Sequence, residues 1–249
     1  MLSPVQTTVK NRILAALPEL EFAMVAKDLT PVSLALGQPL HRAGDKIEDV
    51  YFVESGFISA LAILSEGQPL EIGLIGSEGV AGVSVILGAV SSYSETMCQT
   101  GGDAFRMPAA ALRGAFARAP HLRDQLLRYV HVFGVQVSQT AACNAHHELS
   151  QRLARWLLAA HDRSDVPELS LTQDLIAVML GVRRSTVSVA AGTLQKAGVL
   201  RYQHGRITIL DRVGLENAAC ECYEAVASEY RRLFGEQKPK VNPLARPAH

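Results

Sequence analysis

Cysteine is scarce in this sequence, tryptophan occurs once, and no apolar run approaches the about 20 residues that a helical membrane span requires. The four cysteines, Cys98, Cys143, Cys220 and Cys222, form no CxxC pair. Their number and spacing fit a reduced cytoplasmic chain better than a disulfide framework. A metal or iron–sulfur site is accordingly not expected, no cofactor is identified, and the thiols read as buried packing residues. The N-terminal stretch MLSPVQTTVKNRILAALPELEF lacks the basic, apolar, then small-residue order of a secretory signal, so a cytoplasmic location without a membrane partner is expected. Catalytic signatures are missing as well: there is no nucleophile elbow, phosphate-binding loop, dinucleotide fingerprint or zinc-spaced histidine cluster. His146-His147-Glu148 has two readings, a metal corner or a helix start, and the helix start is preferred because adjacent histidines on a helix point about 100° apart. The chain is not expected to be an enzyme.

An excess of charge of either sign is also lacking, because 24 Lys and Arg balance 24 Asp and Glu. The neutral total hides an asymmetry. Residues 1–145 carry 10 basic against 13 acidic side chains, residues 146–212 carry 9 against 6, and residues 213–249 balance at 5 and 5. The basic excess therefore lies in one segment, as a polyanion partner would require. With 48% hydrophobic and 19% charged residues, 249 residues suffice for one large or two ordinary packed domains.

What is present changes character along the chain. Residues 9–17, VKNRILAAL, have the pattern of a short amphipathic helix stopped by Pro18. From about Leu34 to Pro108, Gly, Pro and Asp punctuate short β-type runs such as VYFVESGFISALAIL and PLEIGLIG, the signature of a sandwich, roll or barrel. Helical spacing returns with PAAALRGAFARAP, and a long helix follows from roughly His121 to Asn144. On it Leu122, Leu126, Tyr129, Phe133, Gln136 and Thr140 form a heptad-like stripe, beside a second stripe of Leu127, Val130, Gly134, Val137 and Ala141. Two stripes let the helix pack on its own domain and on a second chain together; burial wholly within one subunit is the alternative. Leu122, Leu126, Tyr129, Phe133 and Val137 are assigned to a homodimer interface. HHELSQRLARWLLAAH begins another helix, with Leu149, Leu153, Trp156 and Leu157 on one face. The last residues, EQKPKVNPLARPAH, are polar and Pro-rich and read as a frayed tail.

The segment LSLTQDLIAVMLGVRRSTVSVAAGTLQKAG carries the functional signal. Thr172 can cap a first helix whose apolar face is Leu175, Ile176, Met179 and Leu180, and Gly181 supplies the left-handed stop. A second helix from about Arg184 to Ala197 places Val187, Ala190, Ala191 and Leu194 on one side. Arg184, Ser185, Ser188, Gly192 and Gln195 fall on the other. A guanidinium, hydroxyls and an amide on a face of small residues suit a DNA groove. LRYQHGRITIL then reads as two strands around a His204-Gly205 turn, making a winged helix-turn-helix with His204 and Arg206 at the wing. The residues assigned to DNA are Thr172 and Gln173 at the head of the first helix, Arg183 in the turn, and Arg184 and Ser185 at the start of the second. Thr186, Ser188 and Val189 on the second helix, with His204 and Arg206, complete the set.

In this order the stretches GDKIEDVYFVESGFIS, GSEGVAG, QRLARWLL and LTQDLIAVMLGVRRSTVS resemble the cyclic AMP receptor protein/fumarate–nitrate regulator (Crp/Fnr) family of bacterial transcription factors, over about residues 30–212. The resemblance implies an α+β chain. Residues 1–120 would form a cyclic-nucleotide-binding-type β-roll sensor, 121–145 a dimerisation helix, 146–212 a winged helix-turn-helix, and 213–249 a C-terminal helix and tail. It also implies a homodimer on a palindromic double-stranded DNA operator, with RNA polymerase as a further partner. In the family a Gly-Glu turn and an Arg beside a small hydroxyl clamp the cyclic phosphate. Here the matching pocket is Gly76, Glu78, Gly79, Val80, Ser92 and Tyr93, with Ser92 and Tyr93 where Arg and its neighbour belong. No Lys or Arg occurs between Lys46 and Arg106, so the anion lacks its cationic donor and a cyclic nucleotide is doubtful as ligand. The family's iron–sulfur branch uses an N-terminal cysteine cluster, and no cysteine precedes Cys98. A haem- or redox-sensing member stays open through His41, Cys98 and several other histidines, none of which is singled out, as does an interaction-only protein that has lost DNA binding. Members with well-described operators show Arg-Glu and a second Arg; the matching positions here are Arg184, Ser185 and Val189, so the operator differs.

Overall fold

The computed structural model describes residues 4–65, 67–164 and 166–235. It divides into two compact units at Gly134–Val135, inside a helix rather than in a linker. The stretch read as a frayed tail, residues 236–249, lies outside the described residues.

In the first unit, α1 (Arg12–Ala15) is shorter than residues 9–17. Asn11 caps it, its side chain accepting from Leu14 N, and from its buried position also donates to Val53 and Gly79 carbonyls. Pro18 does more than stop this helix. Its fixed φ, −57°, starts α2 (Glu19–Ala26), whose third residue matters below.

The strands are β1 (Thr30–Leu34), β2 (Pro39–His41), β3 (Asp49–Val53), β4 (Ile58–Ile63), β5 (Pro69–Ile75), β6 (Val80–Ala81), β7 (Glu95–Cys98) and β8 (Gly102–Pro108). They form two antiparallel four-stranded sheets, ordered β1-β8-β3-β6 and β2-β7-β4-β5. Val50, Phe52, Ile58, Ala60, Leu74, Val80 and Met107 are buried at the centre of this α+β unit. The turn between β3 and β4 requires glycine: Gly56 has φ +69°, and a Cβ there would lie 2.7 Å from Thr100 Oγ1.

Helix α3 (Ala109–Arg118) follows, and then α4 (Pro120–His146). The carboxylate of Glu21 in α2 accepts from the backbone N–H of His121 and of Leu122 at 3.2 and 3.0 Å, satisfying donors that the first turn leaves orphaned. Burial would raise its pKa, but these bonds, with one from the His121 side chain, hold it below the usual value.

The burial of α4 corrects the interface read from sequence. Leu122, Leu126, Tyr129 and Phe133 are buried within the single chain, as are Gln136 and Thr140. A side chain already packed on its own subunit has no area left to offer a partner, so these four are core residues. Of the assigned set only Val137 remains partly exposed. It lies on the second stripe with Leu127, which is 44% exposed, and with Val130, Gly134 and Ala141.

The second unit is built on α5 (Leu149–Arg163). Its start is the Glu148 and Gln151 capping box; of the His146-His147-Glu148 run only Glu148 belongs to this helix start, since His146 ends α4. Leu153, Trp156, Leu157 and Leu158 are fully buried, each aliphatic one contributing about 1.5–3 kcal/mol. β9 (Glu168–Ser170), a strand not evident in the sequence, precedes α6 (Gln173–Leu180) and α7 (Arg184–Lys196). β10 (Leu200–Gln203) and β11 (Arg206–Ile209) form the wing, ordered β10-β11-β9. α8 (Arg212–Ala218) and α9 (Cys222–Phe234) close the unit against α5. Arg212 and Tyr223 both bond Asp162 of α5, at 2.7 and 2.8 Å, which holds the two C-terminal helices to it. Among the described residues no single helix is long and apolar enough to cross a membrane.

Candidate nucleic-acid interface

Thr172 caps α6, its hydroxyl accepting from Leu175 N at 3.2 Å. Gly181 ends the helix with φ +63° and ψ +41°, a left-handed stop that a β-carbon would strain. Arg152 of α5 donates to the Leu180 carbonyl at 2.6 Å, adding positive charge at the negative end of α6. The chain then turns by 104° into α7, within the range of helix-turn-helix pairs. Val187, Ala190, Ala191 and Leu194 are buried, as the wheel requires.

Beyond α6 the opposite side of α7 is open. Arg184, Ser185, Thr186, Ser188 and Val189 are all exposed, and Val189 is 71% exposed although apolar. A valine turned outward among hydroxyls suits contact with a thymine methyl. Arg183 is the N-cap residue of α7; its exposed guanidinium carries no acceptor and so cannot cap the helix. Ser188 Oγ lies 2.6 Å from Gln173 Oε1, so this exposed contact ties the first turn of α6 to the middle of α7.

The wing matches expectation in its turn. His204 has φ +50° and Gly205 φ +75°, both left-handed, as a two-residue turn between twisted strands needs. Tyr202 anchors it, its hydroxyl donating to the Leu171 carbonyl at 2.8 Å.

Three features escaped the sequence. Gln195, placed on the groove-facing side by the wheel, accepts from Tyr202 N at 2.8 Å and so braces the hairpin. Arg184 Nε lies 3.6 Å from Asp174 Oδ1, and Arg206 Nη1 lies 2.8 Å from Glu168 Oε1. Both basic residues thus carry exposed acidic partners. The acidic partners come from α6 and β9, near in space but remote from any periodicity on α7 or the wing.

The candidate effector residues are held differently. Gly76, Glu78, Gly79 and Val80 are buried, and Glu78 Oε1 accepts from Gly76 N at 3.1 Å. Tyr129 lies against Gly79 so closely that a Cβ there would be 2.5 Å from its ring. Ser92 is buried and donates to the Ser94 carbonyl at 2.6 Å, while Tyr93 is 66% exposed. Lys46 pairs with Ser91 through its backbone, and its side chain is exposed. The carboxylate of Glu71 is buried, 2.7 Å from Ser59 Oγ.

His41 and Cys98, the residues behind the haem reading, are engaged internally. His41 Nδ1 lies 2.7 Å from Thr96 Oγ1 and its Nε2 lies 2.8 Å from the Asp49 carbonyl. Burial pushes its pKa down. Cys98 donates to the Thr100 carbonyl, and burial pushes its thiol up to about 11, far from the thiolate a metal ligand requires.

The other three cysteines are not separate packing residues. Cys143, Cys220 and Cys222 meet, together with His147. Spacing along the chain was no guide, because the pairs come from the ends of two helices far apart in sequence.

Compared with known proteins, the chain matches the cyclic nucleotide-binding domain over residues 31–119 and the Crp-like helix-turn-helix domain over residues 151–218. It is 24% identical over 188 residues to the global nitrogen regulator of Synechococcus elongatus, covering 72% of this chain and 85% of that protein. It is also 24% identical over 204 residues to the CRP-like cAMP-activated global transcriptional regulator of Mycobacterium tuberculosis, covering 79% and 91%. The solved structure of FixK2 from Bradyrhizobium japonicum superposes with a TM-score of 0.66 at 19% identity, covering 77% of this chain and 98% of that one. At that identity the likeness establishes the shared fold.

Proposed function

The chain belongs to the Crp/Fnr family of DNA-binding transcription regulators, and from that premise we propose that it acts as a homodimer on a palindromic operator, with a signal other than cyclic AMP. The observation that carries the operator reading is the open side of α7. There Arg184 is the candidate for a guanine edge, Val189 for a thymine methyl, and Ser185 and Ser188 for hydrogen bonds in the groove. Arg183, Arg206 and His204 flank that face and suit phosphates.

A two-fold operator asks for a two-fold protein. The exposed stripe Leu127, Val130, Gly134, Val137 and Ala141 on α4 supports self-association, since its spacing alternates between three and four residues. RNA polymerase is a further partner where the bound dimer activates transcription.

Support for a different signal comes from charge. The matched pocket offers Glu78, Ser92 and Tyr93 and no guanidinium, and the nearby sheet buries the Glu71 carboxylate. A phosphodiester anion needs the opposite sign. The test is fluorescence anisotropy on duplexes selected from random sequence, with the complex mass measured by sedimentation. Two chains on one symmetric duplex, far tighter than on scrambled DNA, is the expected result. Equal affinity for both duplexes would overturn the operator reading.

A further inference from the structure

We propose that Cys143, His147, Cys220 and Cys222 bind a single zinc ion in a closed tetrahedral site that fastens the head of α9 to the end of α4. The geometry is the first ground. Cys143 and His147 are four residues apart on one helical turn, the His147 N–H donating to the Cys143 carbonyl at 3.1 Å. Cys220 and Cys222 flank Glu221 where α9 begins. The four donor atoms all lie within 4.8 Å of one another. Cys143 Sγ is 3.4 Å from Cys220 Sγ, and Cys222 Sγ is 3.6 Å from His147 Nδ1. Tetrahedral bonds of about 2.3 Å to sulfur and about 2.0–2.1 Å to nitrogen would set the sulfurs about 3.8 Å apart and sulfur to nitrogen about 3.6 Å. The donors are therefore already spaced for one ion. An iron–sulfur cluster spreads its four ligands over two or more irons, a wider set than four donors lying within 4.8 Å of one another.

The surroundings are the second ground. His147 Nε2 lies 3.2 Å from Glu221 Oε1. A proton held there by the carboxylate leaves Nδ1, the nitrogen turned to the thiols, as a lone-pair donor, which is the arrangement that orients metal-binding imidazoles. Three thiolates on a dication leave one negative charge. Arg155, itself buried, lies beside Cys143, and its Nε has no partner among the described residues. A buried guanidinium needs an anion beside it, and the metal–thiolate group would be that anion. All three cysteines are buried and all four positions are filled by protein, so the site is structural, without a vacant position for substrate. It is independent of the operator reading.

The test uses the full chain, folded with zinc present under reducing conditions, desalted and measured by elemental mass spectrometry. One zinc ion per chain is expected, and cobalt in its place should give the absorption of a tetrahedral thiolate site. Cys143→Ser and Cys222→Ser should each lose the metal, while Cys98→Ser keeps it. Glu221→Gln leaves every ligand in place and should weaken zinc binding about 10–100-fold. A wild-type chain that stays metal-free, with its thiols reduced or joined as a Cys143–Cys220 disulfide, would overturn the proposal. So would cluster-type visible absorption, or equal metal loss in Cys98→Ser.

Discussion

Replacing Arg184 with Ala tests whether α7 reads sequence or merely attracts phosphate. In the unbound chain Arg184 Nε lies 3.6 Å from Asp174 Oδ1, with side chains 66% and 71% exposed. At that exposure solvent screens the pair, so releasing it costs about 0–1 kcal/mol. A bidentate guanidinium–guanine contact contributes about 1–3 kcal/mol of discrimination. Binding to the operator should therefore fall about 5- to 150-fold, with a much smaller loss on scrambled DNA and preference flattened at one base pair. Asp174→Ala should act in the opposite direction. It frees Arg184 and removes a carboxylate from a surface that must approach phosphates, so affinity should rise on every sequence. Arg183→Ala and Arg206→Ala should weaken all sequences alike and each lower the salt slope by about one unit. The assay is a set of binding isotherms on operator and scrambled duplexes at several salt concentrations. If Arg184→Ala lowers both affinities equally, its role is electrostatic and the reading of this face is wrong.

The dimer can be checked by sedimentation: Leu127→Glu and Val137→Glu should give a folded monomer, whereas Phe133→Glu should unfold the chain, and a monomeric wild type would end the claim. Calorimetry with cyclic AMP should show no micromolar binding; a micromolar constant together with stronger DNA binding would refute the charge argument. Thr172→Ala removes the cap of α6 and should lower stability by about 0.5–2 kcal/mol in thermal melts without DNA. Burial depresses the pKa of His41, so as pH falls through about 6.5 the unfolded chain takes up this proton before the folded one. Stability from this group is thus full above that pH and lost below it, and His41→Gln should flatten the melting curve against pH on the acid side.

Local rules were enough for much of the chain. A Thr cap, a Gly stop and the apolar period of α6 and α7 depend on neighbours three or four residues away, so the helix-turn-helix was legible, as was the His204-Gly205 turn. The exposure of Arg184 and Ser188 follows from the same period, whereas Val189 enters only through the family resemblance. Periodicity says that a stripe is apolar, but not which surface covers it. Hence the spacing marks Leu122, Leu126, Tyr129 and Phe133 as a partner surface although the chain itself buries them, and the more exposed stripe is the neighbouring one. Gln195 shows the same limit, since only the approach of β10 turns its amide from the groove to Tyr202. The Asp174 and Glu168 counter-charges depend on the packing of α6 against α7 and the pairing of β9 with β11, and the meeting of Cys143 and His147 with Cys220 and Cys222 depends on α8 and α9 closing against α5. No spacing along the chain encodes that closure, because burial of distant apolar faces decides it.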